Sequence, residues 1–228
     1  MKENFIHVCF VVDESGSMYQ SKSDVIGGFQ KVIDEQKART EGKCAISLYT
    51  FNGKVTQRYL GKDVSEVTGI DYNPGGCTAM NDGICTAIKE IGDWLRDMPE
   101  SERPEQNLII IMTDGEENSS KEYTLADAKE MIKHQTEKYS WKFMYIGTDI
   151  TTTRDADNLG IKTMSFSTRN NYYKNYDTIN AAVTSYRCCA GSSLQKAATM
   201  DSCLDAYSAS ITDETEKAIG KKITKDSQ

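Results

Sequence analysis

The sequence predicts an α/β fold: three α/β/α layers around a doubly wound, mostly parallel, six-stranded sheet with one antiparallel edge strand, of the Rossmann-like kind. Short apolar runs alternate along the chain with longer segments whose apolar residues recur at helical spacing. The run from Leu108 to Met112 is uninterrupted and rich in β-branched residues, which is typical of a central parallel strand covered on both faces. Asn52-Gly53, between two other runs, is a strong hairpin signal and predicts the antiparallel pair.

Six strands and five helices account for this alternation. The predicted strands are Phe5 to Val12, Cys44 to Phe51, Lys54 to Leu60, Leu108 to Met112, Trp141 to Gly147 and Ile161 to Phe166. The predicted helices run from Met18 to about Arg39, from Thr78 to before Pro99, from Thr124 through Ile132, from Thr151 to Leu159 and around Ile179 to Tyr186, with a loop at Asn170 to Asn175.

Two further expectations concern the organisation of the chain. The Gly27-Gly28 pair lowers helix propensity and predicts close packing of the first helix against the sheet. We expect residues 1–190 to form the domain. Residues 191–228 should form a C-terminal extension that is partly helical or disordered, because the segment from Thr212 onward is polar and charged.

Composition excludes several classes of function. The 228 residues carry a net charge of -7 without a basic cluster, which argues against nucleic-acid binding. The mean hydropathy is -0.56, and no apolar run approaches the about 20 residues that cross a bilayer. The N-terminus has no export signal, so we expect a cytoplasmic protein that does not bind membranes. The seven cysteines lack zinc spacing and are expected to be buried reduced thiols.

The first candidate site is a polar loop that directly follows the first strand. Asp13, Ser15 and Ser17 offer one carboxylate and two hydroxyls at alternate positions of this loop. Hard cations prefer oxygen ligands, so the pattern fits a metal site. Taken alone, it fits a turn or a helix N-cap equally well.

Two later loops carry matching polar residues. Thr78 ends a glycine-rich turn and stands at a helix N-terminus, where its ordinary role is a cap. Asp114 follows the central strand, and the carboxyl ends of strands in open α/β sheets line the crevice where ligands bind. We therefore expect Asp114 to face the same region as Asp13.

In this order the three loops resemble the metal-ion-dependent adhesion site of the von Willebrand factor A domain family, and the match covers roughly residues 5–190. The resemblance implies that Ser15, Ser17 and Thr78 bind Mg²⁺ directly, with Mn²⁺ or Ca²⁺ as alternatives. It implies that Asp13 and Asp114 hold the ion mainly through water. Such a site retains positive character toward a further ligand, and an Asp or Glu of a partner protein is the natural occupant.

The resemblance also implies a role in protein interaction rather than catalysis. The chain is similar to the stand-alone intracellular members found in bacteria and their phages. Glu116 and Glu117 follow Asp114, and a negative rim there would repel an acidic ligand unless these side chains point away or meet basic groups of the partner. The favoured alternative is a solvated loop in which these two residues have no role. These sequence patterns do not indicate the oligomeric state.

Two other functions compete with this interpretation. A Mg²⁺-dependent phosphatase-like hydrolase could use Asp13 as its nucleophile, although such enzymes commonly have a second Asp where this chain has Ser15. A nucleotide-binding glycine loop is absent, and His7 and His134 lie away from the predicted crevice, which disfavours a Ser-His-Asp triad. A folded scaffold that binds metal but no partner is the third hypothesis.

Overall fold

The computed structural model describes residues 1–147, 151–161, 163–166 and 172–206. Its strands are β1 (Lys2–Asp13), β2 (Lys43–Phe51), β3 (Val55–Asp63), β4 (Pro104–Met112), β5 (Lys142–Gly147) and β6 (Thr163–Phe166). Its helices are α1 (Lys22–Lys37), α2 (Met80–Asp97), α3 (Leu125–Tyr139), α4 (Thr151–Leu159), α5 (Tyr172–Cys188) and α6 (193–206).

All six of these strands belong to one sheet with the order β3-β2-β1-β4-β5-β6. β1 lies at the centre and pairs in parallel with β2 and β4. β3 pairs with β2 in antiparallel orientation and forms one edge. The predicted fold class is therefore confirmed, including its single antiparallel edge strand.

The two faces of the sheet bury separate apolar cores because successive side chains of a strand point to opposite faces. On β1, Phe10 and Val12 face a core that α1, α5 and α6 cover. Cys9 and Val11 face the other core, which α2, α3 and α4 cover. The central strand β1 thus packs against both helical layers, and its carboxyl end lies between them.

The helices at the start and end of the domain differ from the prediction in their details. A 3-10 turn, Gly16–Ser21, separates the first strand from α1, which begins only at Lys22. The first two residues of the loop predicted at Asn170 to Asn175 lie outside the described residues, and the prediction is wrong from Tyr172 onward, since α5 begins there. Asn175 is fully buried, so tertiary packing stabilises a helix in a segment with low intrinsic propensity.

Of the two glycines in α1, Gly27 is exposed, and Gly28 has a different packing partner from the one expected. A Cβ atom added at Gly28 would lie only 1.8 Å from the ring of Tyr176. The glycine therefore makes room for an aromatic side chain of α5, and the close approach is between two helices of one layer rather than between helix and sheet.

The segment after α5 contributes to the core. In α6, Met200 and Leu204 are buried against the layer that α1 and α5 form. The part of the predicted extension from 207 to 228, including the polar segment from Thr212, lies outside the described residues. Within the described ranges, no helix has the length and apolarity that a membrane span requires.

The cysteines are free thiols, as the sequence predicts, but they are not all buried. Cys9, Cys44 and Cys85 lie in the interior. Cys77 and Cys188 are exposed because they stand in a surface loop and at a helix end.

Candidate metal centre

Three loops meet at the carboxyl end of the central strands. The first loop (13–18) begins at Asp13, the last residue of β1. The second loop (73–79) precedes α2, and the third (113–120) follows β4. Because Val12 of β1 pairs with Met112 of β4 in parallel register, the first and third loops leave the sheet side by side. This edge is where ligands bind in open α/β sheets.

Hydrogen bonds connect the polar residues of the first and third loops. The carboxylate of Asp13 accepts a bond from the backbone N–H of Ser15 at 2.7 Å and from the hydroxyl of Thr113 at 2.6 Å. The hydroxyls of Ser15 and Ser17 are 3.0 Å apart. Ser17 in turn donates to Oδ1 of Asp114 at 2.5 Å. Four of the five predicted residues thus form one connected group.

Thr78 joins this group across a small space above Gly115. A Cβ atom placed on Gly115 would lie 3.3 Å from Oγ1 of Thr78, 3.5 Å from Oγ of Ser17 and 3.7 Å from Oδ2 of Asp13. Oxygen atoms from two loops and a strand end therefore converge on one point that lacks a side chain of its own. Hydroxyl and carboxylate oxygens are hard ligands, so this donor set fits Mg²⁺.

Burial has the largest effect on the pKa of Asp13. Its side chain is inaccessible to solvent, and this desolvation raises the pKa of the carboxyl to about 6. The hydrogen bonds from Thr113 and Ser15 favour the charged form and oppose the rise, whereas the neighbouring charge of Asp114 adds to it. A cation at this position would instead favour the ionised carboxylate.

Other residues cap α2 in place of Thr78. The residue at the cap position of this helix makes no side-chain hydrogen bond. Instead, the carboxylate of Glu117 accepts from the N–H of Asn81 at 2.8 Å, and Ser120 accepts from the N–H of Asp82 at 3.1 Å. The third loop therefore supplies the capping groups, and the hydroxyl of Thr78 is not needed for that role.

The backbone of Thr78 is fixed by the third loop as well. Its N–H donates to the side chain of Asn118 at 2.9 Å, and its carbonyl accepts from the N–H groups of Asn118 at 3.0 Å and Ser119 at 3.2 Å. The position of Thr78 relative to Asp114 is therefore set by direct contacts between their loops.

The two glutamates of the third loop have different surroundings. Glu117 points toward α2 and also accepts from the N–H groups of Ser119 at 2.9 Å and Ser120 at 2.8 Å. Glu116 is exposed. Of the two carboxylates considered for a negative rim, only that of Glu116 is exposed, while the charge of Glu117 is satisfied by backbone donors.

Sequence reasoning did not find the residues that support the site. Thr113 precedes Asp114 directly, and a hydroxyl between a strand end and a predicted ligand is a signal that could have identified it. The partners of Glu117 and Asn118 carry no such signal, because they depend on how the third loop lies against α2. Glu14, within the first loop, is another supporting residue, because its side chain contacts the second loop.

The alternation of elements and the three-loop site can be compared with known families. The family model for the von Willebrand factor type A domain matches residues 7–187. The chain belongs to this family. No curated protein matches the chain.

Solved structures with this fold come from several organisms. Proximal thread matrix protein 1 from the mussel byssus, with a zinc-occupied MIDAS motif, has a TM-score of 0.54 and 19% identity, with 77% of this chain and 45% of the mussel chain covered. This chain thus spans about half of that protein. The vWF domain of the pilus tip protein Mfa5 from Porphyromonas gingivalis has a TM-score of 0.56 and 13% identity, with 82% and 97% covered.

A third structure is the pilus adhesin SpaC from Lactobacillus rhamnosus GG in its open conformation. Its TM-score is 0.62 at 12% identity, with 82% of this chain and 30% of that chain covered. At such identities the likeness establishes the fold.

Proposed function

We propose that Asp13, Ser15, Ser17, Thr78 and Asp114 bind a divalent cation, Mg²⁺ by preference, and that the bound ion accepts an Asp or Glu side chain of a partner protein. The observation that carries this proposal is the convergence of Thr78, Ser17 and Asp13 oxygens on the space above Gly115. The zinc-occupied MIDAS motif of the mussel protein supports a metal at the corresponding site of this family.

The donor set explains why such an ion would attract an acidic ligand. Mg²⁺ prefers six oxygen ligands and keeps several waters. The three hydroxyls, as the direct ligands, neutralise none of its charge, and the two carboxylates, which accept hydrogen bonds from Ser15, Thr113 and Ser17, would hold the ion mainly through water. The ion therefore retains positive character toward solvent, where a carboxylate from another protein could replace a water.

Calorimetric titration of Mg²⁺ and Mn²⁺ into the full chain tests the metal part of the proposal. Thr78→Ala and Asp13→Ala should each abolish measurable binding, whereas Thr40→Ala, an exposed threonine before β2, should bind as the wild type does. Equal binding by all four proteins would overturn the proposal. Circular dichroism in EDTA should give the same folded spectrum for each.

Affinity capture tests the partner part. A partner that the wild type retains in Mg²⁺ should be released by EDTA and should not be retained by Thr78→Ala. Replacing each surface Asp and Glu of that partner in turn should identify one carboxylate that is required. A partner that binds equally in EDTA would contradict a metal-mediated contact.

Turnover assays separate this function from the hydrolase alternative. We propose that the protein is not an enzyme, so phosphate-ester hydrolysis in Mg²⁺ should not exceed the buffer rate. Metal-dependent hydrolysis abolished by Asp13→Asn would overturn the binding-only function. We propose further that residues 1–190 form the domain that binds the metal and the partner. We also propose that the protein acts in the cytoplasm, as the stand-alone bacterial or phage members of the family do.

A further inference from the structure

Glu14 is a buried carboxylate within the first loop, and its side chain turns toward the second loop. The residue is 6% exposed. Oε1 accepts a hydrogen bond from the backbone N–H of Asn73 at 2.7 Å. The side chain of Glu14 thus contacts the start of the segment that leads to Thr78. Glu14 and Asn73 are 59 positions apart in the sequence.

Arg58 supplies the balancing charge. One of its terminal nitrogens lies 3.2 Å from Oε2 of Glu14, and the side chain of Glu14 is 8% exposed. The Nε–H of Arg58 donates to the hydroxyl of Thr50 at 3.2 Å, which fixes the guanidinium over the β2-β3 pair. A paired and hydrogen-bonded guanidinium of this kind compensates the cost of burying a carboxylate.

The backbone of Glu14 holds the second loop as well. Its carbonyl accepts from the N–H of Gly75 at 2.8 Å, and its own N–H donates to the carbonyl of Phe51 at 2.7 Å. The N–H of Gly16 donates to the carbonyl of Gly76 at 3.1 Å. The first loop therefore contacts the second loop at three points, and the side chain of Glu14 makes one of them.

We propose that Glu14 and Arg58 form a positioning pair that holds Thr78 in register with Ser17 and Asp13, so that the edge hairpin contributes to metal affinity without contacting the metal. This inference rests on the proposed function, because it concerns the affinity of that site. The backbone contacts remain when the pair is removed, so its loss should weaken the site and not abolish it.

Mn²⁺ affinity tests the pair, measured from the free-ion signal in electron paramagnetic resonance on the full chain at 10 °C. Arg58→Ala and Glu14→Ala should each weaken binding roughly 10-fold, at the low end of the effect of groups that orient metal ligands. The double variant should lose less than the product of the two single losses, well short of 100-fold, because the Glu14–Arg58 contact is common to both changes. Arg58→Lys should recover part of the affinity.

Controls distinguish positioning from simple stabilisation. Arg96→Ala removes an exposed arginine that pairs with Asp93 on α2, and it should leave Mn²⁺ affinity unchanged. Each variant must show the folded circular dichroism spectrum at the temperature of the titration. Wild-type affinity in folded Arg58→Ala and Glu14→Ala would overturn the positioning pair. Failure of the wild type itself to bind Mn²⁺ would instead overturn the proposed function.

Discussion

The hydroxyl of Thr113 donates a 2.6 Å hydrogen bond to Oδ2 of Asp13, and the two residues stand at the ends of neighbouring parallel strands. The other carboxylate oxygen of Asp13 accepts from the N–H of Ser15 at 2.7 Å. Both oxygens are therefore oriented by donors from different loops. A group that orients a metal ligand in this way contributes to affinity without touching the metal.

Thr113→Val should lower Mg²⁺ affinity roughly 10-fold, because it removes the donor to Asp13 and keeps the shape of the side chain. Calorimetric titration measures the loss. Thr113→Ser retains the hydroxyl and should bind within about twofold of the wild type. If the valine and serine variants bind equally, the hydrogen bond does not matter for the site.

Gly115→Ala should prevent Mg²⁺ binding while leaving the metal-free protein folded. The added methyl group would lie 3.3 Å from Oγ1 of Thr78 and 3.5 Å from Oγ of Ser17, in the space that a cation and its waters would need. Gly115 has no positive φ, so alanine should change the free energy of unfolding in EDTA by no more than about 1 kcal/mol. Calorimetry and urea titration measure the two effects.

Gly75→Ala provides the matched control from the neighbouring loop. A Cβ atom at Gly75 would meet no atom within 4 Å, so this variant should bind Mg²⁺ as the wild type does. Normal binding by Gly115→Ala would show that the cation does not occupy the space above Gly115.

The site residues that directly follow or end a predicted strand could be predicted from the sequence. Asp13, Ser15 and Ser17 are close in sequence at the end of one strand, and Asp114 follows another strand whose apolar run is unambiguous, so parallel topology alone brings them to one edge. The same patterns predict the fold, because apolar periodicity distinguishes strands from helices wherever the segments are long.

The supporting contacts could not be predicted, since they depend on how distant segments pack. Glu14 meets Arg58 across 44 positions of sequence, and only the antiparallel pairing of the edge hairpin places them together. Glu117 reads as part of a negative rim, yet its position against the start of α2 turns it into a helix cap. At Tyr172 the polar sequence predicted a loop because burial of the following residues is a tertiary effect.

Lys196→Met should lower the free energy of unfolding by about 3 kcal/mol, because it leaves a buried carboxylate without its cation. The ammonium of Lys196, with a side chain that is 1% exposed, lies 3.3 Å from Oε2 of Glu105 and 3.6 Å from Oε1 of Glu3. These contacts join α6 to the first residues of β1 and β4. Urea titration of the full chain measures the change.

Two further variants test this explanation. Lys196→Met combined with Glu105→Gln should recover part of the lost stability, since the uncompensated charge is removed. Lys133→Met, which breaks an exposed pair with Glu137 on α3, should cost less than about 1 kcal/mol. Equal losses for Lys196→Met and Lys133→Met would mean that α6 is not held by the buried ion pair.

His7 lies near the middle of β1, away from the metal centre at its carboxyl end, and is fully buried. Its Nδ1 is 3.0 Å from Oδ1 of Asn107, and its Nε2 is 2.7 Å from Oγ of Ser47. Burial disfavours the charged ring and lowers its pKa from 6.5 to about 4, and the hydrogen bond to Asn107 opposes this only in part. The folded protein therefore keeps a neutral imidazole at a pH where the unfolded chain is protonated.

This difference predicts that His7 stabilises the fold less in mild acid. Between pH 6.5 and pH 4 the unfolded state binds the additional proton, so the contribution of His7 to the free energy of unfolding should fall by about 3 kcal/mol as the pH is lowered over this window, and level off below it. Asp13, whose raised pKa acts in the opposite direction, is present in all three proteins and cancels when they are compared. His7→Gln removes the titrating group and should lose this part of the pH dependence, whereas His134→Gln, at an exposed position of α3, should retain it. Urea titrations in EDTA at half-unit pH intervals measure all three proteins. Parallel pH profiles for the wild type and His7→Gln would contradict a buried neutral imidazole.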